Sequence, residues 1–220
     1  MIKIAVFDLD GTLVNSLTDL AQSVNKGLAK AGLEEKPVEN YNHYVGNGRE
    51  IMVKRAMGEY AGDENLFRVV MDTFNSEYKI HCNDNTTSYD GCAELLEKLR
   101  KDGIMTAVLS NKPDEFVPEI LKKVYPEHIF TEAWGKKPEY RIKPDNQALL
   151  AMLDKYGIKP DECIYIGDSD VDVQTAQNSG VQMLGVEWGF RGREELLSVG
   201  APFVAKTADE LYDYISDCNE

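Results

Sequence analysis

Apolar and polar positions along this chain follow two periods. Ile2-Lys3-Ile4-Ala5-Val6-Phe7 opens it as a β-branched, apolar run without a turn signal, the pattern of a buried strand covered on both faces. The run climbs to Asp8-Leu9-Asp10 and breaks at Gly11. On an extended chain, alternation points Asp8 and Asp10 the same way and turns Leu9 into the core. Leu17, Leu20, Ala21, Val24, Leu28 and Ala31 then recur at helical spacing, with Gly32 as the stop. Residues 50–57 and 65–79 are also helical in pattern, and nothing between 15 and 82 reads as a strand. This predicts an all-helical cap domain over residues 15–82. It is inserted into an α/β catalytic core made of residues 1–14 and 83–220.

After Tyr89-Asp90-Gly91 the periods alternate. A helix over 92–101 leads to a strand over 104–109. A helix opening at Pro113-Asp114-Glu115 runs to Val124, with acidic residues at its positive end. A short strand over 129–134 precedes the cationic stretch 135–143. Lys143-Pro144-Asp145 opens the next helix, and a strand over 163–166 ends in Gly167-Asp168-Ser169-Asp170-Val171-Asp172. A helix through Ala176, a strand over 181–186, a weak strand at Phe203-Val204 and a helix over 208–215 complete the chain. Such alternation implies a parallel sheet with helices on both faces, so the fold class is α/β, with a Rossmann-like core.

Composition narrows the function. With 220 residues, 43% hydrophobic and 28% charged, the chain can bury a substantial core and has ordinary soluble-protein chemistry. Its formal net charge of −14 argues against nucleic acid or an anionic membrane as a partner. No apolar run approaches the roughly 20 residues needed to span a bilayer. Cys82, Cys92, Cys163 and Cys218 are scattered, without Cys-x-x-Cys spacing, so free thiols in a reducing cytoplasm are expected. A small molecule is the expected partner, and a monomer or homodimer the expected assembly.

In a parallel α/β sheet the carboxyl ends of the strands share one rim. That rim would carry Asp8 and Asp10, then Ser110 and Asn111, then Lys143, then Asp168 and Asp172. Converging carboxylates repel and need a cation or a shared proton. Two carboxylates and a backbone carbonyl suit Mg2+, which keeps waters and takes a phosphate oxygen. A carboxylate can attack phosphorus, splitting hydrolysis into two displacements. Lys143 with the Ser110 or Thr12 hydroxyl would position the transferring group. Plainer readings stand beside these. Asp10-Gly11 is a turn dipeptide, Ser110 a helix cap, and Lys143 a solvated lysine at a helix start. Asp168 and Asp172 are a cap and a surface acid, Lys112 a flanking residue, and Cys163 and Tyr165 plain strand residues.

Taken in order, Asp8-Leu9-Asp10-Gly11-Thr12, Ser110-Asn111-Lys112, Lys143-Pro144 and Gly167-Asp168-Ser169-Asp170-Val171-Asp172 resemble the motifs of the haloacid dehalogenase-like superfamily. The likeness extends to the helical insertion that marks members with a small helical cap. It implies Asp8 as nucleophile and Asp10 as general acid/base. Asp8, the Asp10 backbone carbonyl and Asp168 would hold Mg2+, with Asp172 supporting them, and Ser110 and Lys143 would contact the phosphoryl group. An aspartate at position 10 points to a phosphatase or phosphomutase. Asn146 stands where such members often carry a second proline.

Val45-Gly46-Asn47-Gly48, Ser110-Asn111-Lys112-Pro113 and Trp188-Gly189-Phe190-Arg191-Gly192, with Glu194-Glu195-Leu196 after it, are similar to the phosphoglycolate phosphatase group. That likeness implies a phosphate monoester substrate, with Thr12, Asn111, Gly46 and Arg49 as substrate contacts. Arg49 would pair with a substrate carboxylate; its plain alternative is an exposed helix-start arginine. β-Phosphoglucomutase-like mutases, and phosphatases acting on pyrophosphate or nucleotides, share the motifs and stand as alternatives.

Overall fold

Burial on both faces makes Ile4–Phe7 the central strand. Its four side chains are between 0% and 1% exposed, so alternation puts apolar groups into the layers above and below it. A computed structural model describes residues 1–219. In chain order its elements are β1 (Ile4–Phe7), β2 (Val14–Asn15), α1 (Leu17–Lys30), α2 (Arg49–Met57), α3 (Glu64–His81), β3 (Thr87–Ser88), α4 (Cys92–Lys101) and β4 (Met105–Pro113). There follow α5 (Phe116–Val124), β5 (Glu132–Lys136), α6 (Gln147–Lys155), β6 (Cys163–Gly167), α7 (Asp170–Ser179), β7 (Gln182–Val186), α8 (Gly192–Ser198), β8 (Val204–Ala205) and α9 (Ala208–Asp217).

Six strands form one parallel sheet in the order β5-β4-β1-β6-β7-β8, while β2 pairs with β3. This is the expected α/β architecture with a helical insert. Ile4 and Val6 face a core completed by Leu149, Met152 and Leu153 of α6 and by Val173 and Ala176 of α7. Register places Phe7 opposite Val108 on one side and Ile166 on the other. The residues that follow these three therefore emerge together at one edge.

Several boundaries differ from the sequence pattern. The fourth strand continues through Ser110-Asn111-Lys112 to Pro113, with an irregular register against β5 between Leu109 and Pro113. Its helix starts at Phe116 rather than at Pro113. The strand expected over 129–134 lies at Glu132–Lys136, because Ile129 closes a turn onto Pro126. Lys143-Pro144 does not open a helix: α6 starts at Gln147, and the Asn146 amide instead donates to the Asn178 carbonyl at 2.7 Å. All four cysteines are free thiols. Among the described residues no helix is long and apolar enough to cross a membrane.

The chain divides into two compact units, Met1–Val14 with Ser88–Glu220, and Asn15–Thr87. In the second, α1 and α3 bury Leu20, Val24, Leu28, Val70 and Phe74. Residues 83–87 belong with this helical unit, and the reason is Asp19. Its buried carboxylate accepts hydrogen bonds from the Asn85 N–H at 2.9 Å, the Asn85 amide at 2.8 Å, the Thr86 N–H at 2.8 Å and the Thr86 hydroxyl at 2.6 Å. Asp19→Ala should therefore destabilise the protein by about 2–4 kcal/mol, since buried donors lose a charged acceptor. Denaturant unfolding measures this, and a loss within experimental error would show that water replaces the carboxylate at no cost.

Candidate active site

Asp8 follows the last residue of β1, and Asp168 follows the last residue of its neighbour β6. The turn after β1 is tight. Leu9 carbonyl oxygen accepts from the Thr12, Leu13 and Val14 N–H groups, and Gly11 reverses the chain at φ 88°. This turn lays Thr12 against Asp168, whose Oδ1 accepts from the Thr12 hydroxyl at 3.2 Å. A Cβ on Gly11 would stand 2.3 Å from Asp168 Oδ2, and one on Gly189 2.2 Å from Asp168 Cβ. Only glycines fit there. The loop carrying Gly189 is tied down by Trp188 Nε1, which donates to the Thr12 carbonyl at 3.0 Å, and by Phe190 N–H, which donates to Asp168 Oδ2 at 2.8 Å.

Lys143 supplies the central cation. Its Nζ lies 2.9 Å from Asp8 Oδ1, 2.7 Å from Asp172 Oδ1 and 2.9 Å from the Tyr165 hydroxyl. An ammonium has three protons, and each has a partner here. Its backbone is clasped by Asn111, whose Oδ1 accepts from Lys143 N–H at 2.8 Å and whose Nδ2 donates to the Lys143 carbonyl at 2.9 Å. The other Asp172 oxygen accepts from the Ser169 N–H and hydroxyl, at 3.1 and 2.6 Å, so Asp172 also caps α7. Asp8 Oδ1 additionally accepts from Leu9 N–H at 2.7 Å. Its Oδ2 accepts no hydrogen bond from any described residue.

Asp8, Asp168 and Asp172 are all buried and offer carboxylate oxygens within 4.8 Å of one another. Burial raises Asp8 to about 7; Lys143 opposes that, while the Asp172 and Asp10 charges add to it. Asp168 is raised well above the ordinary carboxylate range, first by burial and then by Asp172 and Asp8. Burial works against the charge on Lys143, but Asp172 and Asp8 outweigh it and hold the ammonium above its usual value. Three buried acids against one buried ammonium leave negative charge over. Hard oxygen donors carrying surplus charge fit a divalent cation, so the triad is suited to a metal ion.

The sequence-derived candidates thus sort into groups. Asp8, Thr12, Lys143, Asp168 and Asp172 meet, with Asn111 behind Lys143. The carboxylate of Asp10 is outside the triad and pairs with Lys112 Nζ at 2.8 Å. Ser110 is buried, and its hydroxyl accepts from Lys112 N–H at 3.2 Å. Gly46, at φ 119°, and Arg49, whose NH1 donates to Asn75 at 3.0 Å, belong to the helical unit. Tyr165 and Lys112, by sequence a plain strand residue and a flanking residue, contact Lys143 and Asp10 respectively. The signal for Tyr165 was a hydroxyl in an otherwise aliphatic buried strand, a group that must find a partner.

A family model described as haloacid dehalogenase-like hydrolase matches residues 5–186. A phosphoglycolate phosphatase of Aliivibrio fischeri is 32% identical over 200 residues, 89% of this chain and 88% of that protein. One from Mannheimia succiniciproducens is 34% identical over 195 residues, 86% of this chain and 87% of its own length. A solved structure from Lactobacillus delbrueckii subsp. bulgaricus superposes with a TM-score of 0.92 at 31% identity, covering 97% of this chain and 98% of that one. That of a predicted phosphatase from Clostridium acetobutylicum gives 0.87 at 28%, covering 99% of each.

Two outcomes follow from the geometry. Tyr165→Phe strips one partner from Lys143 and a donor from the Leu109 carbonyl, which accepts from the phenol at 3.2 Å. It should cost about 1–3 kcal/mol in denaturant unfolding; an unchanged midpoint would make the hydroxyl dispensable. The second concerns pH. The folded chain holds the Asp8 and Asp168 protons more tightly than the unfolded chain; for Asp8 the excess of bound protons lies between the ordinary value of 3.8 and about 7. That contribution to stability is full below 3.8 and is lost as pH rises through about 7. In chelator, Asp8→Asn should show a shallower fall in Tm than wild type as pH rises from 3.8 through about 7. Parallel curves would remove the buried-acid account.

Proposed function

The chain belongs to the haloacid dehalogenase-like hydrolase family, and on that premise we propose that it is a Mg2+-dependent phosphatase acting on a small phosphate monoester. The observation that carries this reading is the state of Asp8, with one carboxylate oxygen pinned by Lys143 and Leu9 and the other left open beside two further buried acids. Mg2+ held by Asp8 and Asp168, with Asp172 behind them, would neutralise charge on the substrate's phosphoryl oxygens.

The chain's own residues do the rest. Asp8 Oδ2 attacks phosphorus, the ester P–O bond breaks, and the electron pair leaves on the alkoxide oxygen, which takes a proton from Asp10. Water then attacks phosphorus and gives its proton to Asp10, the bond from phosphorus to Asp8 Oδ2 breaks, and the Asp8 carboxylate is regenerated as inorganic phosphate leaves. Lys143 serves by keeping Asp8 ionised and aimed, since Asp8, Asp172 and Tyr165 already take its protons. Ser110 and Thr12 lie beside the same strand ends and supply hydroxyls for the phosphoryl group. The relatives named phosphoglycolate phosphatase make 2-phosphoglycolate the first substrate to try. For it, Arg49 and the Gly46 loop of the helical unit are the proposed carboxylate contact, a bidentate geometry arginine suits.

Phosphate release from a panel of esters, with and without Mg2+, tests the reading. Hydrolysis of 2-phosphoglycolate that stops in chelator is expected, and Asp8→Asn should lower its rate by about three orders of magnitude or more. Undiminished turnover by the Asp8→Asn variant would refute the nucleophile. A sugar phosphate isomerised without phosphate release would mark a mutase instead. Arg49→Ala should raise KM for carboxylated esters by about tenfold, the loss of one charge-assisted pair, while leaving uncharged alkyl esters unaffected. Equal effects on both would remove Arg49 from substrate recognition.

A further inference from the structure

Lys112 is a second buried cation in the catalytic unit, and its described ion pair is with Asp10. Its side chain is 3% exposed, and its Nζ lies 2.8 Å from Asp10 Oδ1 and 3.1 Å from Asp10 Oδ2. We propose that Lys112 is a positioning residue that holds the Asp10 carboxylate in place for proton exchange with the leaving oxygen and then with water. The inference rests on Asp10 being the acid/base of the proposed phosphatase.

The backbone delivers this ammonium deliberately. Lys112 lies in the irregular end of β4, where register against β5 shifts between Leu109 and Pro113. Its N–H donates to the Ser110 hydroxyl at 3.2 Å. On its other side, a Cβ at Gly135 would stand 2.5 Å from the Lys112 carbonyl oxygen, so β5 approaches this segment more closely than any side chain permits. Asp114 fastens the same contact by accepting from Gly135 N–H at 2.7 Å. Both ends of the residue are therefore held, and the long side chain has a fixed origin.

Contact with both oxygens restricts rotation of the Asp10 carboxyl group in a way that a single contact would not. Lys143 has no proton to spare for Asp10, because Asp8, Asp172 and Tyr165 take all three. Among the described ion pairs, Lys112 is the cation that meets Asp10. When Asp10 gives its proton to the alkoxide it becomes a carboxylate, and the ammonium already stands where that charge appears. Lys112 keeps its own protons throughout.

The test compares Lys112→Met with Asp10→Asn in single-turnover rates of ester cleavage. Two esters are used: 2-phosphoglycolate, whose alkoxide needs a proton, and p-nitrophenyl phosphate, whose phenolate leaves without one. Lys112→Met should slow the first by about 10- to 100-fold, within the range of acid–base catalysis, and the second by less than about threefold. KM should move by less than about twofold. Asp10→Asn should show the same selectivity, and Lys112→Arg should restore most of it by keeping the charge. Lys112→Gln replaces the methionine variant if that one does not fold. Equal slowing of both esters would assign Lys112 to structure or to the phosphoryl group and overturn the proposal, as would no slowing at all. If Asp10→Asn discriminates and Lys112→Met does not, Lys112 alone is excluded. If Asp10→Asn does not discriminate, the acid/base assignment falls and the proposal with it.

Discussion

The α/β unit is built around one buried ammonium. Lys143 is 3% exposed and stands between Asp8 and Asp172, with the Tyr165 phenol as its third partner. A lysine taken out of water costs several kcal/mol unless it is paired and every proton is satisfied. Those conditions are met by three residues, Asp8, Tyr165 and Asp172, which stand at the end of β1, in β6 and in α7. The arrangement works in the other direction too. Carboxylates this close to one another repel; burial first, and then the neighbouring acids, raise Asp8 and Asp168, and Lys143 opposes the rise at Asp8. A divalent ion is the natural complement to their surplus charge.

Everything around the ammonium holds it still. Asn111 bridges the Lys143 backbone from β4, Ser169 locks the far oxygen of Asp172, and the loop at Trp188–Phe190 presses on Asp168 through a glycine that no larger residue could replace. The order β4-β1-β6 explains why such distant residues can do this. Neighbouring parallel strands run side by side, so Asp8 and Asp168 stand just past β1 and β6 while Asn111 stands in the irregular end of β4. The two lysines then divide the work between the two aspartates of the first turn, Lys143 on Asp8 and Lys112 on Asp10.

The acidic clusters were legible because they are local. Asp8-Leu9-Asp10-Gly11-Thr12 and Gly167-Asp168-Ser169 sit where an apolar strand run gives way to polar residues, and a run of that kind needs no partner to be recognised. Boundaries were less legible where polar side chains intervene. Lys143-Pro144-Asp145 reads as a helix start, yet Asn111 and Asn178 engage the backbone of this segment, and the helix waits until Gln147. The strand pattern stops at Leu109, yet β4 runs on through Ser110-Asn111-Lys112 to a pairing of Pro113 with Lys136 of β5.

Period and polarity along the chain determined the alternating strands and helices, the helical insert and the places where acids gather, because each depends on residues a few positions apart. Which acid receives which lysine was decided only by the tertiary structure. Nothing in a linear pattern says that Lys112 reaches back to Asp10 across 102 positions, or that a tyrosine inside β6 completes the shell of Lys143. Such pairings depend on strand order, on register and on where a bulge aims one side chain, and those are properties of the packed sheet.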